Sequence, residues 1–376
     1  MKTIVATLLT LLLLAALAGW AGWGWYQDFQ QQPLALDIEP QSGQDAEQGS
    51  GQATFTVPPG ATIRSVAHAL ADRGWLSSRF LFTLLAYDRG QQNALKVGEY
   101  AIEPGMRPGD VLDLLTSGRS IQFPVTFIPG STFREALAAI RQRDDVFEIE
   151  LADLDDVQIL QRLGIEQAHP EGMLYPDTYL FDRGTTDTEI LQRAHRRLQA
   201  VLAEEWTARA KDLPLQTPYE ALILASIVEK ETALAAERPR IAGVFVRRLR
   251  KGMRLQTDPT VIYGMGDTFD GDLRRADLER PTPYNTYVIS GLPPTPIALV
   301  GREAIAAALN PAEGDALYFV GRGDGSHHFS ATLDQHNCAV RHYQLNRPCA
   351  RLQPQETAPA SSLASGEDTG SGGAGQ

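Results

Sequence analysis

The chain has 376 residues, 43% hydrophobic and 21% charged, enough for two or three folded domains with sizeable cores. Its net charge is −12 and its pI about 5.1, and no dense Lys/Arg stripe is present, so a nucleic-acid partner is excluded: an acidic surface repels phosphate. Cys338 and Cys349 lack the spacing of a zinc site; in an oxidising compartment they form a disulfide, and otherwise they are two separate thiols.

From Thr3 to about Tyr26 there is no charged residue, and Leu8–Leu9–Thr10–Leu11–Leu12–Leu13–Leu14 forms the centre of an apolar run. A bilayer needs roughly 20 helical residues, so this run is long enough to span one. Trp20, Trp23, Trp25 and Tyr26 close it as an interfacial aromatic belt would. Lys2 precedes it and the next Lys or Arg is Arg64, so the positive-inside rule leaves the N-terminus in the cytoplasm and the body outside. The expectation is a single-pass anchor over 1–27 in the cell inner membrane with a periplasmic body. The alternative is a signal peptide cut after Ala16–Leu17–Ala18, which exports the body equally.

Residues 28–52, with Gln30–Gln31–Gln32 and Gln41–Ser42–Gly43–Gln44, read as a polar linker. The Ser/Gly/Ala-rich segment 353–376 reads as a disordered tail. Between them one pattern recurs. Phe55–Thr56–Val57 leads through Pro58–Pro59–Gly60 to an apolar-periodic run ending near Leu70. Tyr100–Ala101–Ile102 leads through Pro104–Gly105 to Val111–Leu115, and Val125–Thr126–Phe127 through Pro129–Gly130 to Phe133–Leu137. Each reads as strand, Pro/Gly turn, capping residue and amphipathic helix. The first two copies bracket a compact domain, 53–120, which resembles the small peptidoglycan-binding LysM modules; the pattern alone also suits a generic α+β domain.

A larger α+β domain is expected over 121–352. Its clearest helix begins at the Thr217 cap and Pro218 and runs through Ala221–Leu222–Ile223–Leu224–Ala225–Ser226–Ile227–Val228–Glu229–Lys230–Glu231–Thr232. Pro239 breaks it or opens a second helix, Ile241 to Leu249, which Gly252 ends. Glu229 and Glu231 lie about 200° apart on a helix. At helical spacing Glu231 has Leu224, Ile227, Val228, Leu234 and Ala235, whereas Glu229 has the more mixed Leu222, Ala225, Ser226, Thr232 and Ala233. Glu231 therefore falls on the stronger apolar stripe. Burial disfavours the charged form of a carboxyl, so its pKa should rise, which suits a general acid. The plainer alternative is a glutamate paired with an arginine of Arg247–Arg248.

Beyond this helix stand Glu237–Arg238, Val244–Leu249, Gly252–Met253–Arg254–Leu255–Gln256–Thr257–Asp258–Pro259–Thr260–Val261–Ile262–Tyr263–Gly264, Tyr284–Asn285–Thr286–Tyr287, Gly291–Leu292–Pro293–Pro294, Tyr318–Phe319–Val320, His327–His328–Phe329–Ser330 and His336–Asn337. With the Glu229–Lys230–Glu231 run, this ordered set resembles the endolytic murein transglycosylase, or YceG-like, family over nearly the whole chain. The resemblance places the catalytic acid at Glu231. It puts Thr232 where other lytic transglycosylases carry Ser, and it implies cleavage of the N-acetylmuramic acid–N-acetylglucosamine bond to leave a 1,6-anhydro end. The expected partners are peptidoglycan glycan strands and the membrane, with peptidoglycan synthases as candidates. No cofactor or metal is expected.

Around Glu231, residues Glu229, Thr232, Gln256, Thr257, Asp258, Tyr263, Tyr284, Asn285, Tyr287 and Tyr175 are the candidate sugar-binding groups, by hydrogen bonding and stacking. Alternatively, Asp258–Pro259 and Asn285 set turns while the tyrosines pack. Adjacent His327 and His328 on a strand face opposite ways and do not suit one zinc ion with His336. Gly321–Arg322–Gly323–Asp324–Gly325 reads as a hairpin turn rather than a phosphate loop. Two other functions remain open: a non-catalytic anchored glycan-binding scaffold, and a hydrolysing muramidase using Glu231 with Asp258 or Glu229.

Overall fold

The structure, a computed structural model, describes residues 2–36 and 53–349. In chain order the elements are α1 (Lys2–Gln31), β1 (Ala53–Val57), α2 (Ile63–Asp72), α3 (Arg79–Asp88), β2 (Gly98–Ile102), α4 (Pro108–Ser117), β3 (Phe123–Thr126), α5 (Phe133–Arg141), α6 (Asp156–Leu163) and β4 (Thr178–Phe181). There follow α7 (Asp187–Thr207), α8 (Pro218–Glu231), α9 (Arg238–Arg250), α10 (Asp258–Met265), α11 (Arg275–Glu279), α12 (Arg302–Leu309), β5 (Tyr318–Gly321), β6 (His327–Ser330) and α13 (Leu333–Tyr343). Among the described residues helices dominate, and the named strands form three antiparallel pairs, β1–β2, β3–β4 and β5–β6.

The recurrent Pro-Gly signal is three copies of one turn. Ala61 N–H donates to Pro58 O at 3.1 Å, Met106 N–H to Glu103 O at 3.2 Å, and Ser131 N–H to Ile128 O at 3.1 Å. In each, proline holds the second position, and Gly60, Gly105 or Gly130 takes the positive φ (75°, 86° and 81°) that the third requires. A cap then starts the helix. Thr62 Oγ1 accepts from Ser65 N–H for α2, and the Asp110 and Glu135 carboxylates accept from the Arg107 and Thr132 N–H groups for α4 and α5.

The chain divides into two compact units, 1–126 with 138–154 and 178–190, and 127–137 with 155–177 and 191–376. The boundary expected at 120/121 is therefore not where the packing divides. In the first unit β1 and β2 pair from Ala53↔Ile102 to Val57↔Gly98, and α2, α3 and α4 bury Val66, Leu70, Phe82, Leu85, Leu112 and Leu115 against Phe55 and Tyr100. The β3–β4 pair joins this unit because Arg183 forms a 2.7 Å ion pair with Glu99, and the Ser120 hydroxyl donates to Asp182.

The segment Thr7–Gln31 of α1 is long and apolar enough to cross a membrane. The helix runs past residue 27, the boundary expected for an anchor. The helix continues to Gln31, and Tyr26, Phe29 and Leu34 are buried in the core of the first unit. Tyr26 donates to Asp88 Oδ2 at 3.0 Å, Ser77 to Gln32 Oε1 at 2.9 Å, and Leu34 N–H to Met106 O at 2.8 Å. Residues 28–36 are thus packed, while 37–52 and the tail 353–376 lie outside the described residues.

In the second unit α8 is buried continuously from Ala221 to Val228, with α9 and α12 packed on it and on each other, and α10 against α8. The β5–β6 hairpin turns through Gly321–Gly325 and packs with α13, where Cys338 and Cys349 form a disulfide. Phe29→Ala should cost about 3 kcal/mol, the usual loss for truncating a core phenylalanine. Gln27→Ala, at an exposed position of the same helix, should be neutral. Thermal unfolding of the detergent-solubilised full chain separates this from a flexible linker, for which both changes would be silent.

Candidate active site

The site is built on the C-terminal end of α8. Thr217 Oγ1 accepts from Glu220 N–H and Pro218 starts the helix. Thr232 leaves the helix in extended conformation, and its hydroxyl accepts from Leu234 N–H at 3.0 Å. Leu234 and Ala235 therefore lie beyond the helix and give Glu231 no apolar stripe, which corrects the sequence argument. Ala221–Val228 are buried on every face of α8, Lys230 is exposed, and the two glutamates on either side of it are distinguished by their partners.

Glu229, not Glu231, holds an ion pair, and its partner is Arg238 rather than an arginine of Arg247–Arg248. Its Oε1 accepts from Arg238 Nη2 at 3.0 Å and its Oε2 from Gly301 N–H at 2.9 Å, with 5% of the Glu229 side chain and 14% of the Arg238 side chain exposed. A carboxylate so engaged clamps α8 to Arg238 and to the Gly301 backbone. The segment before Gly301 is pinned across the site as well: Ile297 N–H donates to Ser226 Oγ at 3.0 Å, and Leu299 exchanges backbone hydrogen bonds with Gly130 and Ser131.

Among the described residues Glu231 forms no ion pair. Its Oε1 accepts the Thr257 hydroxyl, and burial pushes its pKa up from 4.5 to about 7. The Thr257 bond opposes that shift, neighbouring Asp258 adds to it and Arg248 opposes it. Thr257 is itself fixed: its N–H donates to Thr286 Oγ1 at 3.0 Å, and Thr260 Oγ1 lies 2.8 Å from Thr257 O and 2.9 Å from Thr286 Oγ1. Gln256, one residue earlier, has φ of +52°, a conformation that costs a non-glycine residue energy and occurs at sites the surroundings over-determine. Buried Arg248 supplies that restraint, donating to the carbonyls of Leu317 and Leu255 at 2.7 Å each and reaching Gln256 Oε1 at 3.3 Å.

Gln256 and Asp258 are exposed and Tyr287 is half-buried; Tyr287 donates to Asp258 Oδ1 at 2.6 Å. Tyr263 meets Tyr284 edge-on with ring centroids 5.0 Å apart, an approach Gly264 permits, since a Cβ there would lie 2.9 Å from Tyr284 Cβ. Asn285 is fully buried and lines nothing: its Nδ2 donates to the carbonyls of Asp277, Leu278 and Arg280, and its Oδ1 accepts from Tyr287 N–H. Thr232 is buried at the helix exit, where its hydroxyl accepts from Leu234 N–H. Tyr175 is half-buried, its N–H bonded to Ala194 O at 3.2 Å and its ring 5.6 Å from the Arg197 guanidinium. His327 pairs with Glu237 at 2.7 Å, and His328 is buried beside Tyr343.

Sequence reasoning missed Glu171. This buried carboxyl accepts from Phe133 N–H at 2.8 Å and from the Tyr263 hydroxyl at 3.1 Å, and burial raises its pKa to about 6. The signal in the sequence is slight: Pro170–Glu171–Gly172, a turn followed by apolar Met173 and Leu174. Gly172, at φ +75°, lets this turn approach Pro296, whose Cβ would lie 2.5 Å from an added Cβ. Through Tyr263, Glu171 is joined to α10, whose first turn carries Thr257 and Asp258 against Glu231.

The YceG-like family model matches residues 55–342. The endolytic murein transglycosylase of Bacillus subtilis (strain 168) is 32% identical over 305 residues, covering 77% of this chain and 84% of that protein. The endolytic murein transglycosylase of Streptococcus pneumoniae serotype 2 (strain D39 / NCTC 7466) is 28% identical over 300 residues, so the match spans 71% of this chain but only 54% of that longer protein. A crystal structure of a yceG-like protein from Listeria monocytogenes aligns with a TM-score of 0.48 at 29% identity, covering 77% of this chain and 99% of that one. With three-quarters of its length matched by the family model, the chain belongs to the YceG-like family.

Proposed function

We propose that this protein is a membrane-anchored lytic transglycosylase that cuts peptidoglycan glycan strands internally, with Glu231 as its one acid–base group. The observation that carries the reading is the contrast at the end of α8. One glutamate is neutralised by Arg238, while the other is buried without a cation and protonatable near neutral pH. The relatives' printed name, endolytic murein transglycosylase, supports the substrate and reaction class. Protonated Glu231 gives its proton to the oxygen bridging N-acetylmuramic acid and N-acetylglucosamine as the C1–O bond breaks. Its carboxylate then takes the proton of the muramic acid C6 hydroxyl, whose oxygen bonds to C1. The products are a free 4-hydroxyl and a 1,6-anhydro end, with no water consumed.

Exposed Gln256 and Asp258 and half-buried Tyr263, Tyr284 and Tyr287 are the groups we assign to the sugar-binding surface. The β1–α2–α3–β2 unit is assigned a second, LysM-like glycan contact. Helix α1 would hold the body on the extracytoplasmic side, next to the synthases whose strands it would trim or terminate. A hydrolysing muramidase has one observation in its favour: Asp258 lies close enough to raise the Glu231 pKa, as a second carboxylate able to direct water would.

Product mass decides between the two reactions. On purified sacculi the lytic reaction yields anhydro-ended fragments lighter by one water than those of hydrolysis, and a hydrated end from the wild-type enzyme would overturn the assignment. Glu231→Gln should lower the rate by roughly 10²–10⁴-fold, the usual contribution of general acid–base catalysis, with the fold intact. Wild-type kcat/KM should fall as pH rises through about 7, where the acid is lost.

Stability should show the same group. The folded state holds the Glu231 proton more tightly than the unfolded chain, so stability declines as pH rises from 4.5 towards 7 and stays low above it. Glu231→Gln should therefore be more stable than wild type by about 3 kcal/mol at pH 8 and show no such gain at pH 4.5. Glu229→Gln should do the reverse, lowering the melting temperature by stranding buried Arg238. Equal melting temperatures for both variants at pH 8 would contradict these assignments.

A further inference from the structure

One large, mostly apolar cavity is lined by residues of the first unit alone. It has a volume of about 870 Å³, within the range of small-ligand pockets, and lies between the last turns of α1 and helix α3. Gly19, Gly22 and Trp23 form its wall on α1, and Phe80, Leu81 and Leu84 its wall on α3. A Cβ added at Gly19 or Gly22 would meet nothing within 4 Å, so these two positions leave the groove open. Along α3, Phe82, Leu85 and Ala86 face the core, while Phe80, Leu84 and Tyr87, one stripe at helical spacing, are 70%, 42% and 51% exposed. Such a face is costly in water and calls for a covering partner.

The height of this groove along α1 identifies the partner. The charge-free stretch begins at Thr3, and a hydrocarbon core of roughly 30 Å takes up about 20 helical residues, ending near Gly22 and Trp23. Trp23 and Trp25 are exposed, as interfacial residues of a span are. Phe80 and Leu84 line the same cavity as Gly19, Gly22 and Trp23, so the cavity opens onto the end of the hydrocarbon stretch. The groove's other end, at Asp28, Gln32, Ser77 and Ser78, is polar and stands at headgroup height. The helix cannot tilt freely away from the domain, because Tyr26, Phe29 and Leu34 are locked into the same core.

We infer that the groove between α1 and α3 seats an acyl chain of a bilayer lipid, so that the first unit rests in the membrane surface on the Phe80–Leu84–Tyr87 stripe as well as on its anchor. The inference rests on the reading of α1 as a membrane span.

Site-specific fluorescence quenching tests it on the full chain reconstituted in phosphatidylcholine vesicles. Cys338 and Cys349 are disulfide-bonded, so a single introduced cysteine can be labelled selectively. Phe80→Cys, Leu84→Cys and Ala16→Cys variants would each carry an environment-sensitive fluorophore, with a nitroxide placed either at carbon 5 of the acyl chain or on the headgroup. The acyl-chain nitroxide should quench the labels at 80 and 84 more strongly than the headgroup nitroxide does, alongside quenching at 16. Quenching at 16 with none at 80 and 84, or with quenching there by the headgroup probe alone, overturns the acyl seat and leaves the span intact. Absence of quenching at 16 overturns the span, and the seat with it.

Discussion

Two carboxyl groups two residues apart, just after the buried Ala221–Val228 stretch of a helix, cannot both stay charged without partners, and most of the second unit can be read as the solution to that constraint. Desolvation penalises each ionised carboxylate, and a helix C-terminus adds an unfavourable dipole. Glu229 is satisfied by Arg238 and by the N–H of Gly301, which ties α8 to the start of α9 and to the segment leading into α12. That arrangement leaves Glu231 with a neutral donor, the Thr257 hydroxyl, and the nearest guanidinium, Arg248, is occupied by backbone carbonyls. The arginine that could have neutralised Glu231 instead stabilises the left-handed turn at Gln256 that brings Thr257 to it.

The parts legible in the sequence were those with local chemistry. Pro58–Pro59–Gly60, Pro104–Gly105 and Pro129–Gly130 each specify a turn through fixed φ values, and the three strand–turn–helix units followed from them. Thr217–Pro218 fixed the start of α8, and Gly321–Gly325 the hairpin. The distinction between Glu229 and Glu231 was legible for a reason that proved incomplete. Leu224, Ile227 and Val228 do lie on α8, but Leu234 and Ala235 do not, and Glu229 is as enclosed as its neighbour. What separates them is Arg238, seven residues beyond Glu231 and brought back only by the turn between α8 and α9.

Other features depend on contacts that no local pattern encodes. Gln27 to Gln32 looks like a linker by composition, and the helix persists there because Phe29 and Leu34 find a core that exists only after β1, α2 and α4 have assembled. Asn285 has the composition of a sugar ligand, yet its amide is wholly committed to the 277–280 carbonyls, so its contribution is the shape of the loop that presents Thr286 and Tyr287. Glu171 carried no periodicity to expose it. Its burial became visible only once the Phe133 N–H and the Tyr263 hydroxyl converged on it from distant segments.

A single group that must act first as acid and then as base is served best by a pKa near the working pH, since a stronger acid is too seldom protonated and a weaker one too slow to give its proton up. Burial alone would push Glu231 upward without limit to its usefulness, and the structure contains the counterweight. The Thr257 hydroxyl, carried on a backbone that Thr286 and Thr260 hold through its N–H and carbonyl, donates to the carboxylate and lowers its pKa. In the proposed reaction that same bond strengthens when the proton has gone to the leaving oxygen, because a hydrogen bond to a charged acceptor is stronger than one to a neutral acid. The threonine network thereby favours the ionised state that the second half of the cycle needs, while the apolar surround of α8 favours the protonated state that the first half needs. The pKa of about 7 is where these two opposed effects meet.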